Sequence, residues 1–355
     1  MKKDGRVVPT LKAAAWSMLA GCYYYSGLPL VLHRGRVAIL TYHRVVSDDM
    51  IRAEHIQSGM YVRAQSFEAH IEYLRRQFVI VPLEDLIQMW HADRLDRRRS
   101  YCVLTFDDGW RDNYQYAFPV LKKHGVPATI FLATDYVGTS RWFWPDQVKF
   151  LLEQSSEHMT VKQRRKAVAT VVRETLKIDE PSAEKLYAQQ ESDDPIDSDA
   201  LIERCKRLNL EVIQKFVGNL SRALDVDLPS RRVLLNWDEV RIMADQGVTF
   251  GSHSCSHRIM THIPLEEARK EMVESRHAML LHGVKPVPVF CYPNGDCDQS
   301  LKALARDSGY IAAVGCEIGL EGPHPHDQFA LKRIGLHEDA TASASLFALS
   351  LSGLR

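Results

Sequence analysis

Two patterns in the 355-residue sequence have the residue types and spacing to do chemistry. In the first, Val103-Leu104-Thr105-Phe106-Asp107-Asp108-Gly109-Trp110, a β-favouring run meets two adjacent carboxylates. The glycine behind them can take backbone conformations closed to other residues. Adjacent carboxylates repel, so the pair is either ordinary Asp-Asp-Gly turn chemistry or part of a site where a cation offsets the charge. In the second, Thr249-Phe250-Gly251-Ser252-His253-Ser254-Cys255-Ser256-His257, the histidines stand at i and i+4. On a helical turn that spacing brings both imidazoles to one face. The histidine pair alone is weak evidence, because 15 histidines make chance spacings common. Both patterns, however, follow β-rich runs, and in barrels the loops at the carboxyl ends of strands converge on one mouth. One carboxylate and two neutral imidazoles form a three-ligand set that leaves positions open for water, as in catalytic rather than structural zinc sites.

The elements that must position these groups alternate along the chain. VAILTYHRV (37–45) predicts a strand, Phe67 to Phe78 a helix, and FVIVPL and YCVLTFDD two further strands. AFPVLKKHGVPATIFLATD predicts a helix closed by Gly125 and a strand after Pro127. Helical runs (WDEVRIMADQG, LEEARKEMVESRHAMLLHG, SLKALARDSG) and β-rich runs (VTFGSHS, PVPVFCYPNG, IAAVGC, ALKRIGL) continue the pattern. This alternation predicts an α/β chain built on a parallel sheet or barrel. Glu153 to Ser230 departs from it: VKQRRKAVATVVRETLK, SAEKLYAQQ and DALIERCKRLNLEVIQKFVGNLSRAL read as helices with Asp/Pro/Ser-rich joints. We expect a helical insertion over 153–230 that caps the site, binds a partner or packs outside the barrel.

Composition narrows the function classes. Lys plus Arg and Asp plus Glu both number 45, which gives no footprint of a nucleic-acid binder and suits a neutral or weakly charged substrate. Seven scattered cysteines without a CxxC pair argue against a disulfide framework or a structural zinc knuckle. At the amino terminus, Lys2, Lys3, Arg6 and Lys12 precede an uncharged stretch from Ala13 to Leu32, which contains Leu19-Ala20-Gly21-Cys22 in the form of a lipoprotein processing site. The stretch is barely long enough to span a membrane, and its apolar part is short for a signal. The expected form is an unprocessed helical or apolar segment (1–36), cytoplasmic or loosely membrane-associated, with a lipoprotein or secreted form as the alternative. The barrel is expected over 37–342 and a helical tail over 343–355.

Taken in order, TFDDGW, HSCSH and the YPNG turn, with LTYHRV and HGVPATIFL, resemble the polysaccharide deacetylase family, also called the NodB homology domain or carbohydrate esterase family 4. The resemblance covers roughly Val37 to Ala342 apart from the insertion. It implies a distorted parallel (β/α) barrel, one divalent metal ion with zinc foremost, and removal of N-acetyl groups from the amino sugars of a polysaccharide or its lipid-linked precursor. Some members act on esters instead. Carried over residue by residue, it implies Asp107 as catalytic base and Asp108, His253 and His257 as metal ligands. It also implies the Tyr292 backbone N–H, with Pro293 beside it, as oxyanion and substrate-binding positions.

The chain departs from the family in two places. Cys291 stands where an arginine that pairs with the base is frequent, and Arg333 on the last predicted strand is the candidate to take over that pairing. The family's leucine-x-histidine motif becomes Gly335-Leu336-His337, leaving His337 as the candidate general acid or a surface histidine. His43 is a candidate lining residue. Trp142-Phe143-Trp144 either stacks on sugar faces or packs in the core. The alternatives in other classes are a metal phosphoesterase, which would need ligands for a second metal, and a non-catalytic glycan-binding relative.

Overall fold

The computed structural model describes residues 11–53, 56, 57, 59–176 and 196–353. Its strands are β1 (Val37–Tyr42), β2 (Arg44–Val46), β3 (Tyr61–Arg63), β4 (Val79–Ile80), β5 (Tyr101–Phe106), β6 (Ala128–Leu132), β7 (Val248–Ser252), β8 (Pro286–Cys291), β9 (Ala312–Ile318) and β10 (Leu331–Gly335). Parallel pairing runs β5-β6-β7-β8-β9-β10-β1 and closes from β1 back to β5, giving a seven-stranded barrel of the expected α/β class. β4 adds only to the first residues of β5, and β2 and β3 form a separate parallel pair. Register shifts between β7 and β8 and between β9 and β10 distort the barrel.

The apolar runs are continuous because both faces of the strands are covered: β1, β5 and β6 are buried throughout. Alternate residues feed different cores. Val37 and Ile39, Val103, Phe131, Val289 and Leu331 share one cluster, to which the helix Leu83–His91 adds Leu86, Ile87 and Trp90. The intervening residues Leu40, Leu104, Ile130 and Phe250 pack with Phe67 and Ile71 of the helix Ala64–Gln77 and Leu121 of the helix Phe118–His124. That period of two carries upward to the chemistry, since Asp107, Cys291 and Arg333 continue the first set.

Two predicted strands are shorter in the structure. VAILTYHRV breaks at His43, and β2 pairs with β3 outside the barrel. FVIVPL keeps only Val79–Ile80 as strand, because Pro82 caps the helix Leu83–His91. Between β6 and β7, four helices, Trp144–Gln154, Val161–Leu176, Ser198–Cys205 and Leu210–Leu224, share an apolar cluster of their own around Leu151, Val168, Phe216 and Leu220. Asp197 and Asn209 cap two of them by accepting from the Ala200 and Val212 N–H groups. The helix predicted over SAEKLYAQQ lies outside the described residues. The cluster includes Val148, so the packing unit starts with the helix Trp144–Gln154, ahead of residue 153.

The N-terminal segment forms the helices Leu11–Tyr25 and Leu28–Leu32, the first packed on the C-terminal helix Ala344–Ser350. No helix among the described residues is long and apolar enough to cross a membrane. Because the insertion has its own core, Phe216→Ala should cost about 3–5 kcal/mol. Hydrogen exchange should show the loss in the helices of 161–224 while β5, β6 and β7 keep their protection.

Candidate active site

β5 delivers both aspartates to the barrel mouth. The two leave the strand in different directions because Asp108 takes φ 75° and Gly109 φ 76°, and a Cβ on Gly109 would lie 2.6 Å from Leu132 Cδ2. Asp107 stays with the inward residues. Its Oδ1 and Oδ2 accept from the two terminal nitrogens of Arg333, both at 2.8 Å. Arg333 also donates from Nε to Gly315 O at 2.9 Å and lies 3.4 Å from Cys291 Sγ, so the arginine is held on three sides. Burial pushes the Asp107 carboxyl up, but Arg333 outweighs it and the group sits below the ordinary carboxylate range. The Cys291 thiol is pushed up by burial.

Asp108 faces the histidines. Its Oδ1 lies 3.1 Å from His257 Nε2 and 3.5 Å from His253 Nε2, while Trp110 Nε1 donates to Oδ2 at 2.8 Å. Burial raises the Asp108 carboxyl, and the two imidazoles more than reverse this, holding it well below its usual value. His253 Nδ1 bonds the Cys291 carbonyl oxygen at 2.8 Å, a contact that aims Nε2 at Asp108. The His257 ring packs 4.6 Å from that of Phe143.

The helical turn expected between the histidines is absent. Ser254 and His257 both have positive φ (66° and 58°), and the segment is a loop that other groups hold in place. Glu271, from the helix Leu265–Leu281, accepts from the N–H groups of Cys255 and Ser256, both at 2.8 Å, and from the Ser256 hydroxyl. The Thr134 and Asp135 N–H groups bond the carbonyl oxygens of Ser254 and Cys255.

The ligand atoms of Asp108, His253 and His257 all lie within 4.8 Å of one another. One hard carboxylate oxygen and two imidazole nitrogens, each oriented by a second partner, suit a single divalent ion such as zinc. A second group at the mouth, Asp107 with His253 and Cys291, shares His253 with the first. Its carboxylate is engaged by Arg333 through both oxygens, which sets this group apart from the Asp108 set.

Asp107, Asp108, His253, His257 and Arg333 line one cleft of about 630 Å³. His43 and His337 also line it, His337 from the turn after β10, 3.8 Å from Asp339. The Tyr292 expectation needs correction: its N–H donates to Val314 O at 3.2 Å in the β8–β9 ladder, and the residue is fully buried. Pro293 is buried as well; Tyr292 borders the cleft with its N–H already bonded, and Asn294, held at φ 60°, lines the cleft beside it. Phe143 is core, as one of the two readings had it, but Trp144 lines the cleft. Sequence reasoning missed Trp110, Glu271, Asn294 and Asp146. Trp110 and Asn294 lay inside the quoted motifs. Asp146 carried only a helix-start signal behind Pro145, and Glu271 carried none.

A family model for polysaccharide deacetylases matches residues 94–168 and 213–313. A Bacillus subtilis protein that carries a polysaccharide deacetylase name is 34% identical over 117 residues, 32% of this chain. The poly-β-1,6-N-acetyl-D-glucosamine N-deacetylase of Staphylococcus epidermidis is 29% identical over 111 residues, 29% of this chain. Each alignment spans 38% of the length of that curated relative. The structure of the Streptococcus pyogenes deacetylase PplD, solved with acetate, superposes with a TM-score of 0.55 at 14% identity, covering 90% of this chain and 99% of that one. At that identity the likeness is one of fold.

Groups that orient ligands typically change metal affinity when removed. Trp110→Phe and Glu271→Ala should each weaken zinc binding about 10- to 100-fold in a chelator competition, with the far-ultraviolet circular dichroism unchanged.

Proposed function

The chain belongs to the polysaccharide deacetylase family, and from that premise we propose that it is a metal-dependent hydrolase removing N-acetyl groups from the amino sugars of a polysaccharide or its lipid-linked precursor. One observation carries the proposal: a single cleft pairs a three-donor set, Asp108, His253 and His257, with a separate carboxylate, Asp107, tethered to Arg333. The similarity to the Staphylococcus epidermidis N-deacetylase supports an acetylated glycan as substrate.

A divalent ion held by Asp108, His253 and His257 would supply Lewis acidity, acidifying water and polarising the acetamide carbonyl. Asp107 is the general base. Arg333 keeps it ionised and fixes both oxygens, so it is a weak acceptor for ordinary water and a competent one for an acidified water. In place of Tyr292, the Asn294 N–H in the turn after β8 is the position for an oxyanion donor. His337 gives the departing amine its proton, and His43 orients the sugar from the end of β1. A phosphoesterase with two metals is disfavoured because both ligand groups at the mouth depend on His253.

The division of labour is testable. Asp107→Asn should keep metal and substrate binding and lower kcat by about 10²- to 10⁴-fold. Asp108→Asn should lose zinc first and recover part of its activity with excess zinc. The assignment is wrong if Asp107→Asn loses the metal while Asp108→Asn retains it.

The proposal extends to the address, an unprocessed chain that is cytoplasmic or loosely associated with a membrane surface. Among the described residues, six of the thirteen exposed large hydrophobics fall between Met18 and Leu32, and Arg34 and Arg36 are exposed beside them. Cys22→Ser should therefore leave the distribution between soluble and membrane fractions unchanged. Release of the variant into the soluble fraction would identify a lipidated cysteine instead.

A further inference from the structure

Trp144 and Asp146 open the helix Trp144–Gln154, the first helix of the insertion, and both line the cleft that contains Asp107 and Asp108. Neither has a part in the chemistry derived above. Trp144 packs on one side against the insertion's apolar cluster and borders the cleft with the rest of its surface. Its neighbour Phe143 is different: it is 4% exposed and packs with Trp110, Tyr136 and His257, buttressing a metal ligand. A large indole bordering an aqueous cleft keeps an apolar surface wet unless a ligand covers it.

Asp146 is left with its charge facing the cleft. The two cations whose field reaches it are engaged elsewhere, Arg44 with Asp112 at 2.7 Å and Lys149 with Asp199 at 2.7 Å. Among the described residues no other side chain forms a hydrogen bond or ion pair with its carboxylate. Burial pushes the group up to about 6, and the nearby Asp108 adds to the push. A carboxylate that lines the cleft with only a backbone hydrogen bond from its own residue, and no side-chain hydrogen bond, suits donors that a ligand brings.

Resting on the deacetylase reading, we propose that Trp144 and Asp146 form a sugar-binding subsite for a residue adjacent to the one deacetylated, so that the insertion selects glycans of two or more residues. The chemistry matches on both counts: vicinal hydroxyls donate to the Asp146 carboxylate, and the C–H face of a pyranose covers the Trp144 indole. The reacting acetamide must sit against Asp107 and Asp108, and a cleft of about 630 Å³ is the size that encloses a drug-sized ligand, larger than one hexosamine. The sugar is uncharged, so it does not need the cations already paired with Asp112 and Asp199.

The test uses the full-length, zinc-loaded chain and N-acetylglucosamine as monomer through pentamer, in β-1,4 and β-1,6 linkage. Asp146→Asn and Trp144→Ala should raise KM for the trimer to pentamer about 10- to 100-fold, hold kcat within about twofold and leave turnover of the monomer unchanged. Trp144→Phe, which keeps an aromatic face in place, should recover most of the affinity. Equal losses on monomer and oligomers, or no change on oligomers, overturn the subsite. If the wild-type chain turns over none of these probes, the proposed activity fails on its own, and calorimetry with the same pentamers decides the subsite. Binding that Asp146→Asn weakens supports it; no binding, or binding that Asp146→Asn leaves intact, overturns it.

Discussion

Asp107 and Asp108 are adjacent in sequence and only 4% and 5% exposed, so their charges cannot share one environment without a large desolvation and repulsion cost. The site is organised around separating them. Asp107 points with the inward residues of β5 and meets Arg333, while the left-handed backbone of Asp108 turns its carboxylate toward two imidazoles. One carboxylate is thereby neutralised by a fixed cation from the protein. The other gathers the donors that a metal requires. On the proposed reading, a general base and a metal ligand stand side by side because each carboxylate has its own partners.

That separation constrains the surrounding backbone. Of six non-glycine residues with positive φ among the described residues, four stand at the barrel mouth: Asp108, Ser254, His257 and Asn294. Such conformations persist where neighbouring contacts over-determine them. Here the contacts are Trp110 on the Asp108 carboxylate, Glu271 on the loop between the histidines, and the Cys291 carbonyl on His253. Rigid strands and a helix supply these anchors, so the strained loops inherit the order of the barrel.

The insertion adds a second layer to the mouth. Lys206 reaches Asn294 Oδ1 at 3.0 Å, and the Lys206 carbonyl meets His262 Nδ1 at 3.0 Å, so the helical unit touches the turns that border the chemistry instead of packing only on the outside. The family model matches on either side of 169–212, within this unit. The matched residues thus include strands β5 to β8 and the first residues of β9 together with the helix Trp144–Gln154 and most of Leu210–Leu224, and leave out the helix Ser198–Cys205.

The βα alternation, the placement of Asp107, Asp108, His253 and His257 after strands, and the break in pattern at the insertion were all legible in the sequence, because periodicity and strand-end position are local properties of the chain. The barrel closure that makes those strand ends converge is not local, since it depends on β1 pairing with both β5 and β10. Arg333 could be nominated from its place on the last strand, but its bidentate geometry arises from barrel closure, which sets β10 and β5 on either side of β1. The i,i+4 spacing pointed to the correct histidines for an incorrect local reason: a loop held by Glu271, not a helical turn, brings them together. Tyr292 shows the limit most clearly. A motif identifies a turn, but only the packed sheet decides which N–H groups in it are already bonded, because that depends on a neighbouring strand 22 residues further along, at Val314.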